Sequence, residues 1–284
     1  MEPPRFEVLP PEPPQPESKG IMNKIWGWIV AIGVAFLKFK FFLFAALKTS
    51  LSMILMIVVY TVFFGWKFAV GIVFMIFVHE MGHVLACLWY GVQVRAMMFI
   101  PFIGAYVQHE PGNAWLNAKI AYGGPLAGAM ISWAGIVLAH HYQADWIMAL
   151  ASVSFLFNMI NMIPVPPLDG GSICAAVSPW FWFLGMIALG FVLIYFNSWI
   201  TATLIIVMVC FITLPRIQET FFGEQTEEMQ EYYATHLSNR LIMALLYLIL
   251  LAALVIGYEI ASGQMRFDWN DSAISTLGGW LSPE

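Results

Sequence analysis

Long apolar stretches separated by short polar segments dominate this chain. Six stretches carry few charges: 49–66, 68–90, 118–139, 146–163, 180–214 and 240–258. A helix needs about 20 largely apolar residues to cross the hydrocarbon core of a bilayer. The fifth stretch is long enough for two helices, and Asn197–Ser198 predicts a tight turn near its middle. The pattern therefore predicts an all-α polytopic membrane protein with about six to seven transmembrane helices.

The segments around these stretches differ in composition. Residues 1–20 are rich in proline and glutamate, which is typical of a flexible tail. Residues 21–48 mix aromatic and aliphatic side chains with lysines, which favours an amphipathic segment in the membrane interface. The rest of the chain divides into a membrane core over 49–215, an acidic connector over 216–239, an additional transmembrane helix over 240–258 and a polar C-terminal tail over 259–284.

One segment between two apolar stretches predicts β-structure. Residues 99–107 read Phe-Ile-Pro-Phe-Ile-Gly-Ala-Tyr-Val, with β-branched and aromatic side chains around Gly104. This composition indicates a short hairpin associated with the membrane surface.

The composition excludes several classes of protein. The chain is 61% hydrophobic and 10% charged, whereas an ordinary soluble domain is about 45–50% apolar and about 25% charged. This excludes a disordered chain and a disulfide scaffold. The net charge of −5 offers no basic surface for nucleic acid. Three dispersed cysteines indicate no disulfide framework.

The positive charges predict the orientation in the membrane. If the N-terminus lies in the cytosol and the spans alternate, ten of the 12 Lys and Arg residues fall on the cytoplasmic side. The loop 91–117, including the hairpin, is then cytoplasmic, and the tail 259–284 faces the other side. A multi-pass protein of the plasma membrane is the simplest location, and an organellar membrane is the alternative.

A motif with metal-binding spacing lies inside the second apolar stretch. Residues 79–83 read His-Glu-Met-Gly-His. Since helical residues advance by about 100°, His79 and His83 lie about 40° apart and both imidazoles can face one ion. Glu80 is offset, where its carboxylate can reach a water at that ion, as in zinc hydrolases. The alternative is two packed histidines and a hydrogen-bonded glutamate, which requires partners for three polar groups in hydrocarbon.

A second motif offers the third ligand that a zinc ion needs. Residues 161–171 read Asn-Met-Ile-Pro-Val-Pro-Pro-Leu-Asp-Gly-Gly. The prolines end the preceding helix and stiffen the backbone, and the two glycines after Asp169 permit a sharp turn. We interpret this segment as a stiff support for the Asp169 carboxylate. A proline-rich loop with an ordinary Asp-Gly turn is the alternative.

The two motifs, in this order and on separate helices, resemble the site-2 protease family of intramembrane zinc metalloproteases. The resemblance covers roughly residues 50–215 and includes no PDZ or CBS domain. It implies that His79, His83 and Asp169 bind one zinc ion and that Glu80 is the general base. Asn161 and Pro164 match the family's Asn-x-x-Pro element, and Gly124-Pro125 resembles another recurrent family feature.

The resemblance implies an intramembrane zinc endopeptidase that hydrolyses a peptide bond within or near a transmembrane segment of a substrate protein. In that reaction Asn161 either donates a hydrogen bond to the developing oxyanion or only orients the peptide. The hairpin is expected to hold the unwound substrate as an added strand. The alternative from another class is a transporter or channel in which the His, Glu and Asp side chains bind an ion or relay protons.

Overall fold

The structure, a computed structural model, describes residues 21–102, 104–196, 199–224 and 226–264. Within these ranges the chain forms helices, one π-helical turn and two strands. In chain order the elements are α1 (Ile21–Phe64), α2 (Trp66–Trp89), β1 (Val94–Ile100), β2 (Gly104–His109), α3 (Ala114–Tyr142), α4 (Asp145–Asn161), α5 (Asp169–Val177), α6 (Phe181–Phe196), α7 (Trp199–Met208), the π-helical turn Val209–Thr213, α8 (Leu214–Phe222), α9 (Glu227–Tyr233) and α10 (Leu237–Gln264).

Helices of membrane-spanning length dominate the described residues and confirm the predicted all-α polytopic membrane fold. Five helical stretches are long and apolar enough to cross a bilayer: Ala46–Phe64, Trp66–Trp89, Ala114–Tyr142, Ile205–Phe222 and Leu237–Gln264. Two shorter apolar helices, Asp145–Asn161 and Phe181–Ile194, bring the number to that predicted from the pattern. The turn predicted at Asn197–Ser198 lies outside the described residues.

The chain divides into two compact units, residues 1–47 and 48–284. In the first unit the described residues are helical from Ile21 onward, and Trp26 and Trp28 are exposed. α1 is continuous over Ile21–Phe64, so the predicted interfacial segment 21–48 and the first predicted span belong to one helix. The interfacial placement of residues 21–48 stays a prediction, and the predicted tails lie largely outside the described residues.

In the second unit α3 is the central helix and packs against α2, α4, α5 and α10. Small residues let α2 and α3 approach closely. A Cβ at Gly82 would overlap the backbone of Gly123, and a Cβ at Gly123 would overlap the backbone of Gly82. Since lipid tails are as apolar as the side chains, close van der Waals packing supplies much of the association between membrane helices.

The predicted hairpin is confirmed as an antiparallel pair of β1 and β2. Its register places Met97 opposite Val107 and Phe99 opposite Ala105. The outer edge of β1 is covered by α1, because the Thr49 hydroxyl donates to the carbonyl of Met97 at 2.8 Å and the Phe99 amide donates to the Ser52 hydroxyl at 3.2 Å.

This cover identifies which edge of the hairpin is open. Met97 and Phe99 direct their backbone groups away from β2, so the residues opposite them, Val107 and Ala105, direct theirs away from β1. Among the described residues, no backbone group pairs with this outer edge of β2. The hairpin therefore offers one edge for strand addition, the edge of β2.

The length of α3 allows a direct test of the predicted orientation. Its 29 residues span about 43 Å at 1.5 Å per residue, more than the hydrocarbon core, so positions 111 and 143 lie on opposite sides. In a background without native cysteines, we expect the Gln143→Cys protein to react with a membrane-impermeant maleimide that is added to intact cells. Pro111→Cys is expected to react only after permeabilisation. Labelling of Pro111→Cys alone on intact cells would show the inverse orientation.

Candidate metal centre

The first part of the site lies on the inward face of α2. His79, Glu80 and His83 are all buried, although they sit in an apolar helix. The two histidines are one helical turn apart, and their Nε2 atoms approach to 3.2 Å. The helical period predicts this shared direction, because residues i and i+4 lie on one face.

The second part is Asp169, the first residue of α5. Its Oδ2 lies 3.1 Å from Nε2 of His79, and its Oδ1 lies 3.4 Å from Nε2 of His83. The structure thus brings together three side chains from two separate motifs, and their ligand atoms all lie within 4.8 Å of one another. We call these three residues the His-His-Asp cluster.

The hydrogen bonds on the far side of each imidazole fix its tautomer. Nδ1 of His83 lies 2.9 Å from the carbonyl oxygen of Ile120, which only accepts. Nδ1 of His79 lies 2.8 Å from Oδ1 of Asn158, whose amide nitrogen donates to the carbonyl of Ser154. Both Nδ1 atoms are therefore donors, and in the neutral imidazoles both Nε2 atoms carry lone pairs.

The arrangement of these lone pairs requires positive charge between them. Two Nε2 lone pairs and a carboxylate converge on one point, and they repel one another unless protons or a cation lie among them. A zinc ion bound tetrahedrally at about 2.0–2.1 Å separates its ligand atoms by about 3.3 Å. The two Nε2 atoms lie 3.2 Å apart, and each has a different oxygen of the Asp169 carboxylate nearby, Oδ2 at 3.1 Å from His79 and Oδ1 at 3.4 Å from His83. The Nε2–Nε2 separation, the donor types and the tautomers fit such an ion.

Glycines of α3 leave room for the cluster. A Cβ at Gly124 would overlap Nε2 of His83 and crowd Nε2 of His79, and a Cβ at Gly128 would overlap the side chain of Asn158. The sequence offers these two glycines as a Gly-x-x-x-Gly pair for close helix packing. In the structure their missing side chains accommodate the histidines and Asn158.

Glu80 is in place beside the cluster but does not belong to it. Its side chain is buried, and Oε2 has no hydrogen-bond partner among the described residues. A buried carboxylate oxygen is unfavourable until a hydrogen-bond donor or a proton meets it. This orphaned acceptor suits a group that takes a proton during a reaction.

The side-chain amide of Asn161 bonds its own helix, whereas its predicted role requires a hydrogen bond to the substrate. Its amide nitrogen lies 3.2 Å from the carbonyl of Phe157 in its own helix, α4. Its part in catalysis stays a prediction.

The asparagine that contacts a predicted ligand is Asn158, one turn earlier, and sequence reasoning missed it. A fully buried asparagine in an apolar helix needs partners. The sequence feature that could have indicated Asn158 is its position three residues before Asn161, because that spacing places both side chains on similar faces of α4.

Comparisons with known proteins agree with these motifs. The model of peptidase family M50 matches residues 67–145, a range that contains all of α2 except its first residue, the hairpin and α3. Stage IV sporulation protein FB of Bacillus subtilis (strain 168) is 28% identical over 104 residues, which is 34% of this chain and 35% of that protein. The match thus spans about a third of the relative's length. The resemblance to the site-2 protease family is confirmed.

The Asn158 contact generates a test of the metal centre. Asn158→Leu keeps the side-chain bulk but removes the acceptor that orients His79, and loss of such an outer partner weakens metal binding by about 10–100-fold. We expect this loss in a zinc titration of the purified protein against a competing chelator.

Two further variants make the Asn158 test specific. Ser154→Ala removes a buried hydroxyl from the same helix but leaves the backbone carbonyl that anchors Asn158, so zinc affinity should stay near wild type. Asn158→Asp keeps an acceptor for His79 and should retain more affinity than Asn158→Leu. Equal zinc affinity in Asn158→Leu and the wild type would contradict the assignment.

Proposed function

From the match of residues 67–145 to peptidase family M50, we propose that the chain is an intramembrane zinc endopeptidase that hydrolyses a peptide bond within or near a transmembrane segment of a protein substrate. The observation that supports this most directly is the convergence of two lone-pair-bearing Nε2 atoms and one carboxylate at separations of 3.1–3.4 Å. His79, His83 and Asp169 would hold one zinc ion per chain. When bound, zinc supplies the Lewis acidity that polarises a carbonyl and makes water acidic.

Glu80 is assigned as the general base. Its Oε2, buried and unpartnered among the described residues, accepts a proton from the attacking water and returns it to the leaving amine nitrogen. The place of Glu80, next to His79 on α2, keeps it out of the His-His-Asp cluster while leaving it on the same stretch of helix.

Asn161 is proposed to act on the substrate rather than on the metal. To donate a hydrogen bond to the developing oxyanion, or to orient the peptide, its amide must turn away from the carbonyl of Phe157. This division gives the two asparagines of α4 separate tasks, since Asn158 already contacts His79.

The substrate is proposed to bind as an extended strand along the outer edge of β2. β2 lies close to the site, because Gly104 is near Phe157 and the Phe157 ring packs against the ring of His79. A transmembrane helix must unwind before its backbone is accessible, and an added strand satisfies the backbone groups that unwinding exposes.

The alternative of a transporter or channel has less support. In the part of the chain that the structure describes, the buried histidine and glutamate side chains all lie on α2, and the two histidines meet one aspartate. A conduction path is expected to distribute such groups over several helices and depths.

We also propose a plasma-membrane location with a cytoplasmic N-terminus, from the distribution of Lys and Arg.

Glu80→Gln separates catalysis from metal binding. The amide keeps the shape of the carboxylate but cannot take a proton, so cleavage of a single-span substrate should fall by about 10²–10⁴-fold. Zinc content, measured by elemental analysis, should stay at the wild-type level, whereas His79→Ala should lose most of the zinc. Asn161→Ala in the same assay is expected to retain zinc and cleave more slowly.

The outcome of that assay also tests the function as a whole. The inactive Glu80→Gln protein should trap uncut substrate that cross-links to it, which a transporter would not do. Full cleavage by Glu80→Gln would contradict the proposed mechanism.

Proline substitutions test strand addition at the β2 edge. Ala105→Pro and Val107→Pro each remove an amide that points away from β1, so they should reduce cleavage without lowering zinc content. Ala105→Val is the control, since it adds bulk but keeps the amide. Unchanged turnover in both proline variants, with the hairpin intact, would show that this edge takes no part in docking.

A further inference from the structure

Residues 161–171, the segment that carries Asp169, are held in place by side chains from later in the chain. Three of its backbone carbonyls accept hydrogen bonds from three different elements. The pairs are Tyr247 Oη in α10 with the Met162 carbonyl, Thr213 Oγ1 in the π-helical turn with the Pro166 carbonyl, and Trp182 Nε1 in α6 with the Gly171 carbonyl at 2.9 Å. We call Tyr247, Thr213 and Trp182 the three clamp donors.

The composition of the segment explains why its carbonyls need such donors. Prolines 164, 166 and 167 prevent a regular helix, so the carbonyls around them lack regular helical partners. Met162 and Val165 are buried, and a buried carbonyl without a partner is costly where no water reaches it. Side-chain donors are therefore required here, but satisfying carbonyls does not by itself assign these residues a role at the metal centre.

The position of the donors relative to Asp169 supports a role at the metal centre. Pro166 precedes Asp169 by three residues and Gly171 follows it by two. One hydrogen bond therefore holds the backbone before Asp169 and another holds it after Asp169. The donors come from separate helices, so the placement of the segment depends on how those helices pack and not on its local sequence.

Close packing leaves the segment little room to shift. A Cβ at Gly170 would overlap the backbone of Met162, and a Cβ at Gly171 would overlap the backbone at Val165 and Pro166. The first turn of α5 is thus pressed against the residues that precede it. A small displacement at Pro166 would therefore carry over to Asp169.

Thr213 is the clamp donor with the most specific setting. Its side chain is fully buried, and it ends the π-helical turn Val209–Thr213 within an otherwise α-helical stretch. A π-helical turn adds a residue to the helix and so changes the direction of the side chains that follow, and such turns recur at functional sites.

We propose that the clamp donors are positioning residues that fix the Asp169 carboxylate relative to His79 and His83 and thereby set the affinity of the metal centre. This inference rests on the proposed zinc site. It places part of the control of metal binding in α6, the π-helical turn and α10, none of which lies within the residues 67–145 that match the family.

The test compares two threonines in the full-length protein. Thr213→Val removes the hydroxyl with almost no change in volume, and Thr213→Ser restores it. Thr61→Val is the matched control, because the Thr61 hydroxyl bonds a carbonyl of its own helix, that of Ile57 at 2.7 Å. The measurements are the zinc dissociation constant, by competition with a chelator, and the visible spectrum of the cobalt(II) form.

We expect Thr213→Val to bind zinc about 10-fold more weakly and to change the cobalt spectrum, while Thr213→Ser and Thr61→Val stay close to wild type. Trp182→Phe and Tyr247→Phe, which keep the rings but lose the donors, are expected to weaken zinc binding in the same direction and extend the test if Thr213→Val does not fold.

Two negative outcomes are distinguishable. Wild-type zinc affinity and cobalt spectra in all folded clamp variants would overturn the inference alone and assign the clamp donors to carbonyl satisfaction. A wild-type protein that binds neither zinc nor cobalt would overturn the proposed function itself, and with it the clamp's role at a metal.

Discussion

The burial of polar groups in an apolar helix is the constraint on which the rest of this structure depends. His79, Glu80 and His83 lie inside α2 and are almost inaccessible. A polar atom buried in an apolar interior is costly without a hydrogen-bond partner. The neighbouring helices supply partners to the two histidines from two sides, with acceptors for both Nδ1 atoms and with Asp169 against both Nε2 atoms, while Oε2 of Glu80 has no partner among the described residues.

The packing of α2, α3 and α4 follows from the same requirement. α3 can supply the Ile120 carbonyl to His83 only if it lies close to α2, which the contact between Gly82 and Gly123 permits. α4 can supply Asn158 to His79 only if α3 presents no side chain there, as at Gly128. Small residues on α3 therefore serve the polar site as well as helix association.

Different parts of the chain supply different parts of the site. The part that matches peptidase family M50, residues 67–145, carries both histidines, the glutamate and the hairpin. The aspartate and the donors that hold its segment come later, from α5, α6, the π-helical turn and α10. The hairpin has a related asymmetry, because α1 covers the edge of β1 and leaves the edge of β2 open.

The sequence by itself determined the features that depend on local periodicity and composition. Apolar length predicted the membrane helices, the composition around Gly104 predicted the hairpin, and the helical period predicted that His79 and His83 share a face. The family resemblance paired Asp169 with them, and the structure places its carboxylate beside both imidazoles.

Only the tertiary structure decided which groups support that site. Asn158, the Ile120 carbonyl and Thr213 are distant in the chain from the side chains or the segment that they hold. A backbone carbonyl or a threonine in an apolar helix has no distinctive pattern, and the spacing of Asn158 from Asn161 does not identify His79 as its partner. Their roles arise when helices pack closely enough for hydrogen bonds to form, and hydrogen bonding depends on distances that spacing along one chain does not determine.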